Sequence, residues 1–154
     1  MNTITPSSLS EMTIAMLERT AMVLAEPVAD GIELPKPTRS ARIVYRGPSE
    51  GTLFLSATDV FLRDLAASLL GVETGEVDVD KHGSDALREM ANIVGGSVIL
   101  AMSGDVCEYS LGLPELVTPS QVPPAAPGAA ECTIVADDGV LHALWVPGAV
   151  ARAA

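Results

Sequence analysis

The chain has 154 residues, of which 48% are hydrophobic and 19% charged, so it is predicted to fold as one domain spanning residues 1–154. Its 9 basic and 20 acidic side chains give a net charge of −11. This charge repels phosphate backbones and anionic lipid headgroups, which disfavours nucleic-acid and membrane partners. No apolar run approaches the roughly 18 residues of a membrane span, and no basic segment followed by an apolar one opens the chain, so we expect a cytoplasmic location.

The first half of the chain predicts a helix, a β-hairpin and a second helix. Apolar residues recur at helical spacing over 10–26, where a proline follows as a stop signal. Apolar runs at 41–46 and 52–56 flank a loop that contains glycine and proline, which predicts a hairpin. A second helix is predicted over 58–70, with a threonine or aspartate to cap its start and a glycine directly after its end.

The second half predicts a long helix and a second hairpin. An acidic, glycine-containing surface connection over 72–83 precedes the longest helix, predicted over 84–103, and a strand is expected over 106–111. The proline-rich loop 118–130 is long enough to be functional, flexible or dependent on a partner. The segment 133–146 is predicted to be a hairpin around an Asp-Asp-Gly turn.

Both halves contain a helix, a proline-bearing segment and a hairpin, which indicates a degenerate internal duplication. When Glu11 is aligned with Glu89, Ile14 takes the place of Asn92, so one copy carries a polar pair that the other lacks. We therefore predict an α/β (α+β) fold in which long helices pack on one face of a mainly antiparallel sheet, built from pseudo-duplicated helix and hairpin units.

The longest predicted helix carries a polar stripe. At about 100° per residue, Asp85, Glu89, Asn92 and Gly96 fall within a sector of roughly 60°, and apolar residues occupy the opposite side. The adjacent Gly95 and Gly96 cost the helix about 1 kcal/mol each relative to alanine, which indicates close approach of another backbone. The Glu-x-x-Asn spacing by itself is weak, because two such residues on an exposed helix are often only solvated.

Asp85-x-x-x-Glu89-x-x-Asn92, followed by Gly112-Leu113-Pro114, resembles the signature of the CheC/CheX/FliY family of chemotaxis phosphatases. Members of the CheC kind carry two such helices and members of the CheX kind carry one. This sequence has the motif on a single helix, so it is similar to CheX. The resemblance implies a hydrolase that removes phosphate from the phospho-aspartate of a CheY-like response regulator in chemotaxis or two-component signalling.

The resemblance also implies roles for individual residues. Glu89 would pair with the active-site lysine of the regulator, and Asn92 would orient the attacking water. Asp85, Gly96 and Pro114 would bind or position the partner. The chain would need no metal or cofactor of its own, since the Mg²⁺ would belong to the regulator, and it would form a homodimer.

Three other hypotheses remain open from the sequence. The chain can be a non-catalytic module that binds a response regulator or a flagellar-switch component, or a structural dimerisation domain whose polar helix is only solvated. It can also hold calcium, because Asp78, Asp80, Gly83 and Glu89 match the first, third, sixth and twelfth positions of an EF-hand loop. Against calcium, His82 stands at the fifth position and no entering helix is predicted.

Overall fold

A computed structural model describes residues 3–28, 31–104 and 106–148. Three α-helices and seven strands occur in these ranges: α1 (Pro6–Ala21), β1 (Glu26–Pro27), β2 (Arg39–Arg46), β3 (Gly51–Ala57), α2 (Asp59–Leu70), α3 (Ser84–Ser103), β4 (Ser110–Leu111), β5 (Glu115–Val117), β6 (Ala130–Ala136) and β7 (Gly139–Pro147). The strands form one antiparallel sheet in the order β1-β6-β7-β3-β2-β4, and β5 also pairs with β2. Among the helices described, none has the length and apolar character needed to cross a bilayer.

All three helices pack on one face of the sheet, which confirms the predicted fold class. Strand residues alternate between the two faces, so every second side chain of β2, β3 and β7 points toward the helices. The core between helices and sheet is filled by fully buried aliphatic side chains from both layers: Leu9, Leu17, Leu62, Leu65, Leu87, Met90, Ile43, Leu53, Leu55 and Leu141.

The topology is symmetric about the β7–β3 pair, as a duplicated unit predicts. The helix α1 packs mainly on β6, and α3 packs mainly on β2, so each helix covers the hairpin of the other half. Likewise β1, which follows α1, extends the sheet at β6, while β4 and β5, which follow α3, extend it at β2. The two halves are therefore interleaved within one sheet.

The first helix begins and ends earlier than predicted. Thr5 caps it, because its hydroxyl oxygen accepts the Ser8 N–H at 3.0 Å while the Ser8 hydroxyl accepts the Thr5 N–H at 2.9 Å. The helix ends at Ala21, where Met22 adopts a left-handed conformation with φ 55° and the Val23 N–H donates to the Leu17 carbonyl at 3.1 Å. The predicted stop, a proline, instead lies in β1.

The second helix and both hairpins agree with the prediction. Thr58 caps α2, and Gly71 ends it with φ 69°. The hairpin β2–β3 pairs Tyr45 with Gly51, and the hairpin β6–β7 turns through Asp137 and Asp138. Local turn and capping chemistry was therefore sufficient to place these elements.

The connection 72–83 differs from the surface loop that was predicted. It contains a short 3₁₀ turn over Thr74–Glu76 and a single π turn over Val79–Gly83 that runs directly into α3. Asp78 caps the π turn by accepting the Asp80 N–H, and the residue before α3, Gly83, makes no side-chain cap. Downstream, the predicted strand over 106–111 is reduced to the two residues of β4.

The proline-rich segment between β5 and β6 crosses the face of the sheet that the helices leave open. The two ends of the segment lie on opposite sides of β3 and β7 in the sheet. Pro119 and Val122 of the segment line a cavity together with Val140, which lies on the face of the sheet away from the helices, here called the far face. Phe54 and Leu144, which lie opposite each other on β3 and β7 outside the main core, are buried to 2% and 1% exposure. The segment therefore lies over the part of the far face that includes Val140.

Candidate functional site

The helix that carries the polar stripe is fixed at its start by an arginine of β2. Arg39 donates from Nε to Asp59 at 2.9 Å and from Nη2 to Asp80 at 2.6 Å, which links β2, the first turn of α2 and the π turn before α3. This pairing, together with the Thr38 hydroxyl, lowers the pKa of Asp59. The ion pairs therefore connect β2 with the turn that leads into α3.

The two adjacent glycines of α3 have different surroundings. A Cβ on Gly95 would lie 3.1 Å from Ile43 Cγ2 and 3.3 Å from Leu111 Cδ2, so side chains of β2 and β4 explain this glycine. A Cβ on Gly96 would meet nothing within 4 Å. The prediction that another backbone closely approaches both glycines is thus wrong for Gly95, and no neighbour among the residues that the structure describes explains Gly96.

The predicted stripe faces away from the core. Asp85, Glu89 and Asn92 are exposed and Gly96 is half-buried, whereas Leu87, Met90, Ala91, Val94 and Val98 on the opposite side are buried. The residues of the stripe are therefore held on a helix whose other side is anchored in the core. Such backing limits the motion of the helix that presents the polar groups.

The two carboxylates of the stripe differ in their partners. Asp85 accepts a hydrogen bond from Arg88 one turn along the helix, so its charge is paired within the chain. Within the described ranges, Glu89 and Asn92 make no side-chain hydrogen bond or ion pair. Glu89 and the carboxamide of Asn92 are therefore available to a partner, while Asp85 is already engaged.

Pro114 lies on a separate element, in the loop between β4 and β5. The Gly112 N–H of this loop donates to the Val44 carbonyl at 2.8 Å, which fixes the loop to β2. No hydrogen bond or ion pair of the described residues joins the loop to Glu89 or Asn92. The structure thus brings four of the five predicted site residues onto one helical stripe and leaves Pro114 beside it on the sheet edge that α3 contacts.

Apolar side chains on the elements that carry the site were not predicted. Leu113, in the loop, is 85% exposed, Leu100 of α3 is 63% exposed, and Leu116 of β5 is 44% exposed. Large apolar groups left in water on one region of a surface are typical of protein-binding sites. The sequence signal for Leu100 was its position one turn beyond Gly96 on the same stripe.

The residues of the calcium hypothesis are not arranged as an EF-hand loop. Asp80 is paired with Arg39, Asp78 accepts the Asp80 N–H, and the intervening residues are helical rather than looped around an ion. His82 Nδ1 accepts the Asp78 N–H at 3.0 Å. Among the residues that the structure describes, no group of three or more His, Cys, Asp or Glu side chains is arranged to hold a metal.

This arrangement suits chemistry that depends on position more than on a covalent intermediate. A carboxamide can accept a hydrogen bond from water and donate one to an anion, and an unpaired carboxylate can bind a cationic side chain. The site is open, so the reacting group must be delivered by a partner molecule. Attack of water on a phosphoryl group of a partner meets these requirements, because phosphoryl transfer depends mainly on positioning and charge balance.

Comparison with known proteins found a matching family model and similar solved structures. The family model described as chemotaxis phosphatase CheX matches residues 39–136, a stretch that runs from β2 to the end of β6 and contains α3. No curated protein sequence matches the chain significantly.

Solved structures share the fold at low sequence identity. The chemotaxis protein CheX from Vibrio vulnificus is 14% identical, with a TM-score of 0.73 over 90% of this chain and 95% of that one. CheX from Desulfovibrio desulfuricans is 16% identical, with a TM-score of 0.70 over 90% of this chain and 95% of that one. CheX in a CheX–CheY–BeF₃–Mg²⁺ complex from Borrelia burgdorferi is 12% identical, with a TM-score of 0.67 over 92% of this chain and 96% of that one.

Proposed function

Because the chain belongs to the chemotaxis phosphatase CheX family, we propose that it hydrolyses the phospho-aspartate of a CheY-like response regulator through Glu89 and Asn92. The observation that carries the proposal is the stripe of α3, on which Glu89 and Asn92 are exposed and without partners in the described chain while the opposite side is buried. The complex of CheX with CheY, BeF₃ and Mg²⁺, whose CheX shares this fold, supports the choice of partner.

In the proposed mechanism, Asn92 is the catalytic residue. Its carboxamide oxygen accepts a hydrogen bond from a water molecule and its amide group donates toward a phosphoryl oxygen. The water oxygen then lies in line with the bond from phosphorus to the aspartyl oxygen. The P–O bond to water forms as the P–O bond to aspartate breaks. The products are the aspartate carboxylate and inorganic phosphate, which keeps both protons of the water as H₂PO₄⁻ or releases one of them to solvent as HPO₄²⁻.

Glu89 is proposed to dock the regulator rather than to react. Its carboxylate lies almost one turn before Asn92 on the same stripe, so a lysine bound to Glu89 fixes the partner with its phosphoryl group near the carboxamide. Asp85 is already paired with Arg88 and would have a secondary role. We expect the apolar groups Leu100 and Leu113 to extend this docking surface.

The charge of the phosphoryl group must also be balanced. We propose that the Mg²⁺ bound by the regulator supplies this balance, and that the residues of this chain contribute only the orientation of water and the docking contact. We also propose a cytoplasmic location, in keeping with a regulator partner. Homodimerisation, expected from the family resemblance, is tested by the sedimentation velocity of the purified chain.

The function is tested by the rate at which a phosphorylated regulator loses its phosphate. Asn92→Ala is expected to reduce the accelerated rate about 100-fold, because removal of one positioned polar group at a transition state has this order of effect. Binding of the same regulator activated with beryllofluoride is expected to change less than threefold, since the carboxylate contact remains. Equal rates for Asn92→Ala and wild type would refute the mechanism.

The docking role of Glu89 has a matched control within the chain. Glu89→Lys is expected to weaken binding of the activated regulator at least tenfold, because it places a lysine against a lysine. Glu11→Lys makes the same change of charge at the aligned, exposed position of α1, and it is expected to bind as wild type does. If the two variants weaken binding equally, the effect comes from net charge, and the proposed contact of Glu89 is wrong. Binding without any acceleration of phosphate loss would identify a non-catalytic module.

A further inference from the structure

A cleft of about 690 Å³ lies at the end of the molecule where α1, α2 and the turn between β6 and β7 meet. The lining residues include the apolar Met22, Leu24 and Val72 and the acidic Asp64, Glu73 and Asp137. None of these residues belongs to the stripe of α3 or to the loop that carries Pro114. The cleft is therefore a feature that the proposed phosphatase function does not use.

Large apolar side chains are left exposed at this cleft. Met22 is 87% exposed, Leu24 is 75% exposed and Val72 is 37% exposed. Met22 also occupies the left-handed position that ends α1, with φ 55°, where glycine is the usual residue because it avoids the steric cost of a Cβ. The chain thus keeps an apolar side chain in water at a position where a glycine would be more stable.

The charge at the cleft is negative from two sources. Asp64, Glu73 and Asp137 contribute carboxylates, none of which forms an ion pair among the described residues, and the lining contains no cationic side chain. The C-terminal ends of α1 and α2 both lie at the cleft, and a helix C-terminus carries about half a negative charge. Burial and the nearby Asp137 and Asp138 raise the pKa of Asp64 against the opposing effect of Arg63, which indicates that this negative charge is incompletely compensated.

We propose that this cleft binds a cationic amphipathic helix of a partner protein. Its apolar face would cover Met22, Leu24 and Val72, and its lysine or arginine side chains would pair with Asp64, Glu73 and Asp137. The carboxylates repel an anionic lipid surface. A second copy of this chain is also disfavoured, because the chain has a net charge of −11 and so repels another copy of itself.

The probe for this proposal is a fluorescent helical peptide of leucine and lysine with its leucines on one face, compared with a peptide of the same composition in shuffled order. Binding is measured by fluorescence anisotropy at about 0.15 M salt, where attraction to the net charge is screened beyond about 8 Å. The amphipathic peptide is expected to bind at least tenfold more tightly than the shuffled one.

The charged contacts are tested with two triple variants that change the net charge equally. Asp64→Asn, Glu73→Gln and Asp137→Asn together are expected to weaken peptide binding about tenfold, since three ion pairs are lost. The control combines Glu11→Gln, Glu33→Gln and Glu50→Gln, which are exposed carboxylates outside the cleft, and it is expected to retain binding. An equal loss in both would show that net charge alone attracts the peptide and would overturn the proposal.

The apolar contacts are tested by variants that do not endanger folding. Met22→Gly is expected to raise Tm, because glycine suits the left-handed position, and yet to weaken peptide binding about fivefold. Leu24→Ser is expected to weaken peptide binding further. Ile32→Ser, a change at a 59% exposed residue outside the cleft, is expected to have no effect on peptide binding.

Self-association of the wild type that Met22→Gly abolishes would identify a second copy as the occupant and overturn the proposal. Dephosphorylation of the regulator is expected to be unchanged in these variants, so the cleft and the phosphatase proposal can fail independently.

Discussion

Replacement of Gly96 by alanine separates folding from docking at the proposed site. Gly96 lies in the middle of α3, its φ is not positive, and a Cβ at this position would meet nothing within 4 Å. The free protein therefore gains the full helix propensity of alanine over glycine, about 1 kcal/mol, without strain. For a chain of this size the gain corresponds to a rise in Tm of about 2–4 °C.

The same change is expected to weaken docking of the regulator. A glycine that the fold does not require, one turn beyond Asn92, is explained if the partner packs closely against the helix there. An added methyl group at such a contact would weaken binding of the beryllofluoride-activated regulator about tenfold, as small additions to packed contacts cost 1–3 kcal/mol, roughly 5-fold to 150-fold. Gly96→Ala thus combines higher stability with lower affinity.

Gly95→Ala is the matched control for this prediction. Its Cβ would lie 3.1 Å from Ile43 Cγ2, so β2 or α3 must shift by a few tenths of an ångström. The gain in helix propensity is then offset by overpacking, and the free energy of unfolding is expected to stay unchanged or to fall by up to about 2 kcal/mol. Thermal unfolding followed by far-UV circular dichroism measures stability, and anisotropy of a labelled regulator measures docking.

Two results would refute the reasoning about Gly96. A lower Tm for Gly96→Ala would show that the helix is not free of contact at this position. A higher Tm with unchanged affinity would show that the partner does not approach Gly96, and its assignment as a binding residue would then be wrong.

Three further predictions concern stability. Gly139→Ala is expected to lower the free energy of unfolding by about 2 kcal/mol, because its Cβ would lie 2.7 Å from the backbone of Phe61. The control, Gly75→Ala, places a Cβ with nothing within 4 Å and is expected to change the free energy of unfolding little. Chemical denaturation measures both variants, and equal values would contradict the packing argument. Asp59→Asn is expected to lower Tm at pH 7, because the pKa of Asp59 is lowered in the folded protein. The ionised carboxylate therefore stabilises the fold above the pKa of the unfolded state, about 4, and this stabilisation is lost as pH falls through the pKa of the folded state. A difference in Tm between variant and wild type that persists at low pH would contradict this. Asp64→Asn is expected to raise Tm at pH 7 and to have no effect on Tm at low pH. The raised pKa of Asp64 means that its ionised form destabilises the folded protein, and protonation removes this effect. A lower Tm of the variant at pH 7 would contradict the prediction.

The sequence by itself determined the elements that depend on neighbours along the chain. Threonine and glycine placed at the ends of α2 fixed its bounds, and the Asp-Asp-Gly turn fixed the second hairpin, because caps and tight turns are made by residues within a few positions of one another. The stripe of Glu89 and Asn92 followed from helical periodicity alone, since the angle between two residues on a helix depends only on their spacing. The resemblance that carries the proposed function rests on this same local pattern.

Tertiary structure decided whatever depends on residues distant in the chain. Asp80 pairs with Arg39 of β2, and Gly95 and Gly139 lie against Ile43 and Phe61, which no local pattern connects with them. The path of the proline-rich segment and the acidic, apolar cleft between α1 and α2 arise in the same way. Both features depend on which surfaces come into contact, and which stay exposed, when the helices pack on the sheet. These contacts join residues that are far apart in the sequence, so they exist only after the chain has folded.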